Sequence, residues 1–260
     1  MSEFLKTIVT HVKGVVEKSK TGMPLAEIRH KAEAPRIIRP FREALEDTPV
    51  AVIAEVKRAS PSKGDIAPDL DAAKTARLYE EGGAAALSVL TEGKFFKGNL
   101  DDLTAARKAC HLPVLRKEFI VDPYQLYETA AAGADAVLLI ARILAPSQLA
   151  DFMRLASELR LEALVEVFDE TDIEKIAPLA PPLVGINNRN LSSFDTDTTR
   201  AGRLATRLPS GTTVVAASGI QNAGDIRRHL KAGISAFLIG ESLVRTEDPV
   251  GKLKGLVNSE

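Results

Sequence analysis

Three stretches of this chain share one pattern of apolar and polar positions. They are Glu-Gly-Gly-Ala-Ala-Ala-Leu-Ser-Val-Leu (81–90), Ala-Ala-Gly-Ala-Asp-Ala-Val-Leu-Leu-Ile (131–140) and Lys-Ala-Gly-Ile-Ser-Ala-Phe-Leu-Ile-Gly (231–240). Each reads as a helix end, a glycine suited to the left-handed residue that closes a helix, a short link and an apolar strand. Gly83, Gly133 and Gly233 stand 50 and 100 residues apart. The repeat is therefore 50 residues, or two units of half that length, and a strand–helix pair with two loops fits the shorter unit. Further apolar runs at 50–56, 113–115, 163–167, 183–186 and 213–216 bring the predicted strands to eight. Amphipathic stretches lie between them, at 69–81, 100–109, 123–132, 146–159, 197–208 and 223–232.

Short apolar strands alternating with helices predict a parallel sheet covered on both faces. Eight such units predict an α/β fold of the TIM type, a (β/α)8 barrel. An open doubly wound sheet is the competing arrangement. It is disfavoured because the repeat persists to the C-terminus and no Gly-x-Gly-x-x-Gly follows the first strand. Ahead of the first strand, Phe4, Leu5, Ile8, Val9, Val12, Val15 and Val16 follow a helical period, and 35–46 reads as a second short helix. This extension has too little apolar content to be a domain. The expectation is one barrel domain over 1–260, with residues 1–48 a helical N-terminal extension that closes the barrel's bottom or flanks its mouth.

Composition narrows the function. A 260-residue chain that is 45% hydrophobic and 27% charged is ordinary globular protein, long enough to bury a sizeable core. A net charge of −1 carries no basic bias, which argues against nucleic acid as a partner. No segment approaches the ~20 apolar residues that span a bilayer, and the N-terminus lacks a secretory signal, so a soluble cytoplasmic protein is expected. The single cysteine, Cys110, excludes an internal disulfide and reads as a structural thiol at a helix end. His11, His30, His111 and His229 show no metal-ligand spacing and read as surface or helix-end residues.

The charges at the strand ends change the picture, because barrels of this type build their sites at the C-terminal ends of the strands. The first strand ends Ile-Ala-Glu-Val-Lys-Arg-Ala-Ser-Pro-Ser-Lys-Gly (53–64), with Glu55 and Lys57 two apart and so on one face. The third runs into Arg116, Lys117 and Glu118 with no turn residue between. Glu166 interrupts the apolar fifth strand, and Asn187 and Arg189 share a face after the sixth. Charges 116–118 are expected at the mouth, facing one volume with the others. The bland reading, strand-end charges in solvent, is even for any one site and weak for four together. Ser218, Gly219 and Gly240 end the seventh and eighth strands, the usual phosphate position in these barrels, where small residues let the backbone approach an anion. A lysine and a glutamate in one dry pocket can serve as acid and base.

The segments Ile-Ala-Glu-Val-Lys-Arg-Ala-Ser-Pro-Ser-Lys-Gly, Leu-Ser-Val-Leu-Thr-Glu, Leu-Arg-Lys-Glu-Phe-Ile-Val-Asp-Pro, Leu-Val-Glu-Val and Gly-Ile-Asn-Asn-Arg-Asn-Leu resemble, in order and spacing, the indole-3-glycerol-phosphate synthase family. The resemblance runs from about residue 4 to about residue 250. It implies a carboxy-lyase of tryptophan biosynthesis that converts 1-(2-carboxyphenylamino)-1-deoxyribulose 5-phosphate to indole-3-glycerol phosphate, releasing CO2 and water. No metal or organic cofactor is implied. The implied partner is the phosphorylated anthranilate-derived substrate alone, with a monomeric chain and association with other tryptophan-pathway enzymes left open.

Residue by residue, the resemblance makes Lys117 the general acid on the substrate ketone and gives Glu166 the later proton transfers. Lys57 would pair with a substrate anion and help protonate the departing hydroxyl. Glu55 and Asn187 would orient lysine and substrate, and Arg189 would support the acidic side chains. Pro61, Phe96, Phe119, Leu138, Ile140 and Leu191 would form the anthranilate slot, although as apolar residues they serve equally as core. Ser60, Ser218, Gly219, Gly240 and Glu241 would surround the phosphate, Glu241 through its backbone N–H only. One position departs from the family: Ala217 stands where Glu-Ser-Gly is usual after the seventh strand. The alternative reading is therefore an impaired or binding-only variant of the same barrel. Glu118 and Asn190, where aspartate is common, are lesser departures. A phosphoribosylanthranilate isomerase reading is disfavoured by Lys57, Lys117 and Glu166 together with the N-terminal extension. An interaction scaffold would need no matched charges.

Overall fold

The structure, a computed structural model, describes residues 2–190 and 195–259. Eight parallel strands close into a barrel: β1 (Ala51–Val56), β2 (Ala86–Leu90), β3 (Val114–Lys117), β4 (Ala136–Ile140), β5 (Glu162–Val167), β6 (Leu183–Asn187), β7 (Thr213–Ala217) and β8 (Ala236–Ile239). Each pairs with its sequence neighbours, and β1 closes the ring on β8 through Ala51↔Ala236 to Ala54↔Ile239. The barrel and its TIM architecture stand as the sequence predicts.

Strand alternation divides the apolar residues into two cores. Ile53, Leu115, Leu138, Leu164, Val215 and Leu238 fill the barrel interior. Val52, Val89, Val114, Val165 and Phe237 face out and pack under the helices. Those helices include α4 (Ala72–Glu81), α5 (Leu100–Ala109), α6 (Pro123–Ala131), α7 (Pro146–Glu158), α8 (Glu170–Ile176), α9 (Arg200–Ala205), α10 (Ala223–Leu230), α11 (Glu241–Val244) and α12 (Pro249–Val257).

The links into the strands explain why glycine marked only part of the repeat. Gly83, Gly133, Gly211 and Gly233 have φ between +79 and +87, the left-handed region where a Cβ is costly. Arg160 (φ 54) and Ala180 (φ 40) take the same conformation before β5 and β6 without being glycine, so the pattern fades there.

The extension both flanks the mouth and closes the bottom. In α1 (Glu3–Gly22), Leu5, Ile8, Val9, Val12 and Val16 are buried at helical spacing, while Val15 is 46% exposed and leaves the predicted stripe. Two more segments differ from expectation. Residues 35–40 are not helical, because Pro35 and Pro40 interrupt, and only α3 (Phe41–Glu46) forms. A further helix, α2 (Leu25–Glu33), lies ahead of them and its polar sequence hid it. The 35–40 strap is bound under the barrel by its arginines. Arg36 donates to the carbonyls of Ala134 and Leu159, each at 2.7 Å, and Arg39 to that of Leu112 at 2.7 Å. Glu162 then accepts from the first N–H groups of α3, Phe41 at 2.7 Å and Arg42 at 3.0 Å.

Asp135, 1% exposed, ties this strap to the strands. It accepts from Arg39 N and Val114 N, each at 2.9 Å, and pairs with Arg107 at 3.2 Å. Asp135→Ala leaves buried donors and a cation unmatched, which costs about 2–4 kcal/mol. Urea unfolding is expected to show that loss as a lower midpoint at unchanged slope. A midpoint equal to the parent's would mean the strap is not held through this carboxylate.

His229 has the helix-end place read for it, but it is buried. It is on the last turn of α10 but 2% exposed, with Nδ1 2.9 Å from Asp225 O and its ring edge-on to Phe237.

Candidate active site

Interior positions at the strand ends converge on one carboxylate. Glu55, inward on β1, places Oε1 2.7 Å from Lys57 Nζ and Oε2 3.2 Å from Lys117 Nζ. Burial alone would push Glu55 up, but the two ammonium groups outweigh it and hold its pKa at about 2. Lys117 answers in kind. Burial favours its neutral form, yet Glu55 and Glu166 more than offset that and raise its pKa, so it stays an ammonium.

Glu166, inward on β5, is the opposite case. Burial raises its pKa, and Lys117 and Asn187 offset this only in part. Asn187 Nδ2 donates to Glu166 Oε1 at 3.3 Å, while its Oδ1 accepts from Arg189 N at 3.0 Å. The pocket therefore holds a fixed proton donor beside a carboxyl whose proton affinity is lifted toward neutrality. That combination suits stepwise proton transfer.

The other end of the cavity is built from backbone. Ser218 (φ 70) and Gly219 (φ 81) turn left-handed directly after β7. A Cβ on Gly219 would also meet Thr196 Cγ2 at 2.6 Å, so glycine is required there twice over. Gly240 has no such conformational need. Its reason is proximity: a Cβ would stand 3.1 Å from both Cβ and Cδ of Glu55, and closer still to Oε1. Ser60 is buried with its Oγ unpartnered among the described residues, which leaves a hydroxyl for an anion. Arg189 reaches Ser62 Oγ at 3.1 Å and Glu241 at 3.6 Å.

Between these ends, Phe96 and Phe119 lie with ring centroids 6.1 Å apart, tilted by 38°. With Pro61, Leu138 and Ile140 they make an apolar wall suited to a planar ring. The whole cavity measures about 410 Å³, room for one drug-sized molecule. Among the described residues, no group of three or more His, Cys, Asp or Glu could hold a metal.

Every predicted site residue in the described part of the chain lines this cavity: Glu55, Lys57, Ser60, Pro61, Phe96, Lys117, Phe119, Leu138, Ile140, Glu166, Asn187, Arg189, Ser218, Gly219, Gly240 and Glu241. Leu191 lies outside the described residues. One expectation is corrected. Arg116 is not at the mouth: strand alternation turns it outward, where it donates to Gln125 O at 2.9 Å and pairs with Glu128 at 3.3 Å. The Glu241 carboxylate is taken up by Arg189 and Arg245, which leaves its expected backbone N–H role untouched.

Residues missed by the sequence reading include Phe4 and Leu5 from α1, Ser62, Gln221, Arg245 and Lys252. The periodic stripe of α1 announced Leu5 as core, but nothing local told which strand ends it would cover. Ala217 faces the interior, 3% exposed, in register with Asn187 and Leu238. It presents a methyl group where a carboxylate was expected.

A family model described as indole-3-glycerol phosphate synthase matches residues 5–256. The indole-3-glycerol phosphate synthase of Desulfosudis oleivorans is 50% identical over 263 residues, covering 100% of both chains. That of Rhodopirellula baltica is 45% identical, covering 98% of this chain and 99% of its own. That of Laribacter hongkongensis is 44% identical with the same coverage. Among solved structures, a 3-hexulose-6-phosphate synthase superposes with a TM-score of 0.63 at 16% identity, covering 81% of this chain and 99% of that one, a likeness of fold alone.

Proposed function

The chain belongs to the indole-3-glycerol phosphate synthase family, and from that premise we propose how its residues divide the work. The enzyme is a carboxy-lyase that closes, decarboxylates and dehydrates 1-(2-carboxyphenylamino)-1-deoxyribulose 5-phosphate. The ring carbon bearing the carboxylate attacks the ketone carbon. Lys117 gives its proton to the ketone oxygen as the new bond forms, and an ammonium aimed there stabilises the charge that develops. CO2 then departs, and its bonding pair restores the aromatic ring. The new hydroxyl leaves as water with a proton from Lys57, and Glu166 takes up the carbon-bound proton whose loss completes the indole.

Glu55 holds both lysines, and Asn187 orients Glu166. Ser60, Ser218, Gly219, Gly240 and Glu241 receive the phosphate, while Arg189 restrains Glu241. Pro61, Phe96, Phe119, Leu138 and Ile140 clamp the anthranilate ring, with Leu191 assigned to the same wall by resemblance. Fixing both ends of a flexible substrate replaces much of the entropy that ring closure loses. The observation that carries this assignment is the Lys57–Glu55–Lys117 bridge, two ammonium groups on one buried carboxylate at the mouth of the barrel. In the same reading residues 1–260 act as one barrel domain with 1–48 as its extension, monomeric and cytoplasmic. No helix among the described residues is long and apolar enough to cross a membrane.

Nothing in the comparisons favours the impaired or binding-only alternative raised by Ala217. The test is formation of indole-3-glycerol phosphate, followed by indole fluorescence, for this chain beside Ala217→Glu. Comparable rates, within about tenfold, are expected, because general acid and proton carrier are already supplied by Lys117 and Glu166. A rise of several orders of magnitude in Ala217→Glu would overturn this division of roles. Absence of product from both proteins would overturn the activity.

A further inference from the structure

We propose that Arg142 and Asp172 act on Glu166 through one water molecule held in a second, small cavity, and so fix the pH at which Glu166 gives up its proton. The proposal rests on the reading of Glu166 as a proton carrier. Glu166 lines two spaces. One is the substrate cavity; the other is a cavity of about 10 Å³ lined by Glu166, Asn187, Arg142 and Asp172. That size is the lower bound for a single water. Leu5 from α1, with Ile140 and Val167, makes the remaining walls apolar. Four polar side chains line it, and a buried water keeps its place by satisfying two to four such groups.

The Arg142–Asp172 pair is rigid. Asp172, 3% exposed on α8, has Oδ2 3.0 Å from Arg142 Nη2 and accepts from Phe168 N at 3.0 Å. Arg142, from the turn after β4, also pairs with Asp169, and its guanidinium lies 4.8 Å over the Phe168 ring. Arg200 covers the same ring at 4.1 Å. None of these groups touches the substrate cavity, and none has a part in the steps assigned above. They are positioning residues.

The charges around Glu166 come from every side. Lys117 from β3 stabilises its anion, whereas Glu55 from β1 and Asp172 from α8 oppose it. Arg189 stands beyond Asn187 on the β6 side, and α1 offers only Leu5 at the small cavity. Asp172 and Arg142 carry opposite charges at the same small cavity as Glu166, so their removal is expected to act on it in opposite directions. Asp172→Asn removes a negative charge and leaves the arginine, so Glu166 ionises at lower pH. Arg142→Gln removes the positive charge and leaves the aspartate, so it ionises at higher pH.

The carboxyl of Glu166 is titrated by 13C NMR in the full chain, its signal assigned by absence in Glu166→Gln, and the pH profile of kcat is measured on the same proteins. We expect midpoints displaced in opposite directions by the two substitutions, the matching kcat limb moving with them, and Arg142→Lys returning both toward the parent. A high-resolution crystal structure is expected to show ordered density between Glu166 and the Arg142–Asp172 pair. A dry cavity, unmoved midpoints, or shifts of one sign in both variants overturns the proposal, since a purely structural loss has no reason to change sign. If Glu166→Gln keeps the parent's kcat limb, the proton-carrier reading fails as well. If that limb is lost in Glu166→Gln but unmoved in the other two, only the role of the pair fails.

Discussion

Lys117→Met is expected to lower kcat by about 10³–10⁴-fold, the upper range for loss of a placed general acid. Methionine keeps the length and apolar stem of lysine, so the wall of the cavity is retained and the KM for substrate changes little by comparison. What disappears is the ammonium that Glu55 holds at 3.2 Å and that Glu55 and Glu166 together keep protonated. Single-turnover formation of product separates this from slow release, because only the chemical step carries the loss. Lys117→Arg is not expected to restore the rate. A guanidinium supplies charge but holds its proton at any working pH. A kcat within tenfold of the parent for Lys117→Met would remove Lys117 from its role.

The second large effect falls on a residue that donates no proton. Glu55→Gln is expected to lower kcat by roughly 10²–10³-fold, because the electrostatics that organise the donors are lost. With the carboxylate gone, two ammonium groups share one dry pocket with no anion between them. Lys117 loses the foremost charge that raised its pKa, so its protonated form gives way at lower pH. In the proposed mechanism the active form is the ammonium, and the alkaline limb of the kcat profile is therefore expected to move down in pH. Glu55 itself contributes no limb to the parent near neutrality, since it titrates at about 2. A Glu55→Gln enzyme with a lower rate but an unmoved alkaline limb would mean that Glu55 acts by some route other than the lysines.

Much of this architecture was legible because it is repetitive. Glycine before an apolar run recurs wherever a helix closes left-handed, and strand ends bearing charge stand out against apolar interiors. The site followed from two rules, the location of active sites in these barrels and the alternation of side chains along a strand. The same alternation shows where the sequence misled. Arg116, Lys117 and Glu118 look like one cluster, yet successive residues face opposite ways. Lys117 enters the cavity, Arg116 is buried under α6, and Glu118, past the strand's end, is buried while accepting from Thr91 Oγ1 at 2.6 Å. Register within a three-residue charged run was not readable without knowing where the strand ends. The 35–40 strap failed for a different reason. Its two prolines and two arginines carry no apolar period, because it is held by arginine–carbonyl bonds to distant links rather than by a buried stripe. The Arg142–Asp172 pair was likewise silent, being assembled from a short turn and a seven-residue helix whose own sequence patterns are ordinary.

The close approach of Gly240 to Glu55 also bears on how freely this barrel can be rebuilt. The loop after β8, to which the proposed reading assigns the phosphate, and the carboxylate that pairs with both lysines occupy adjoining space, with no room for one methyl group between them. Anchoring and chemistry are therefore not separable modules. A graft that brings a different phosphate loop onto β8 must either keep a glycine at 240 or redesign the lysine bridge with it. Conversely, a new catalytic group at position 55 inherits a size limit set by the backbone at Gly240.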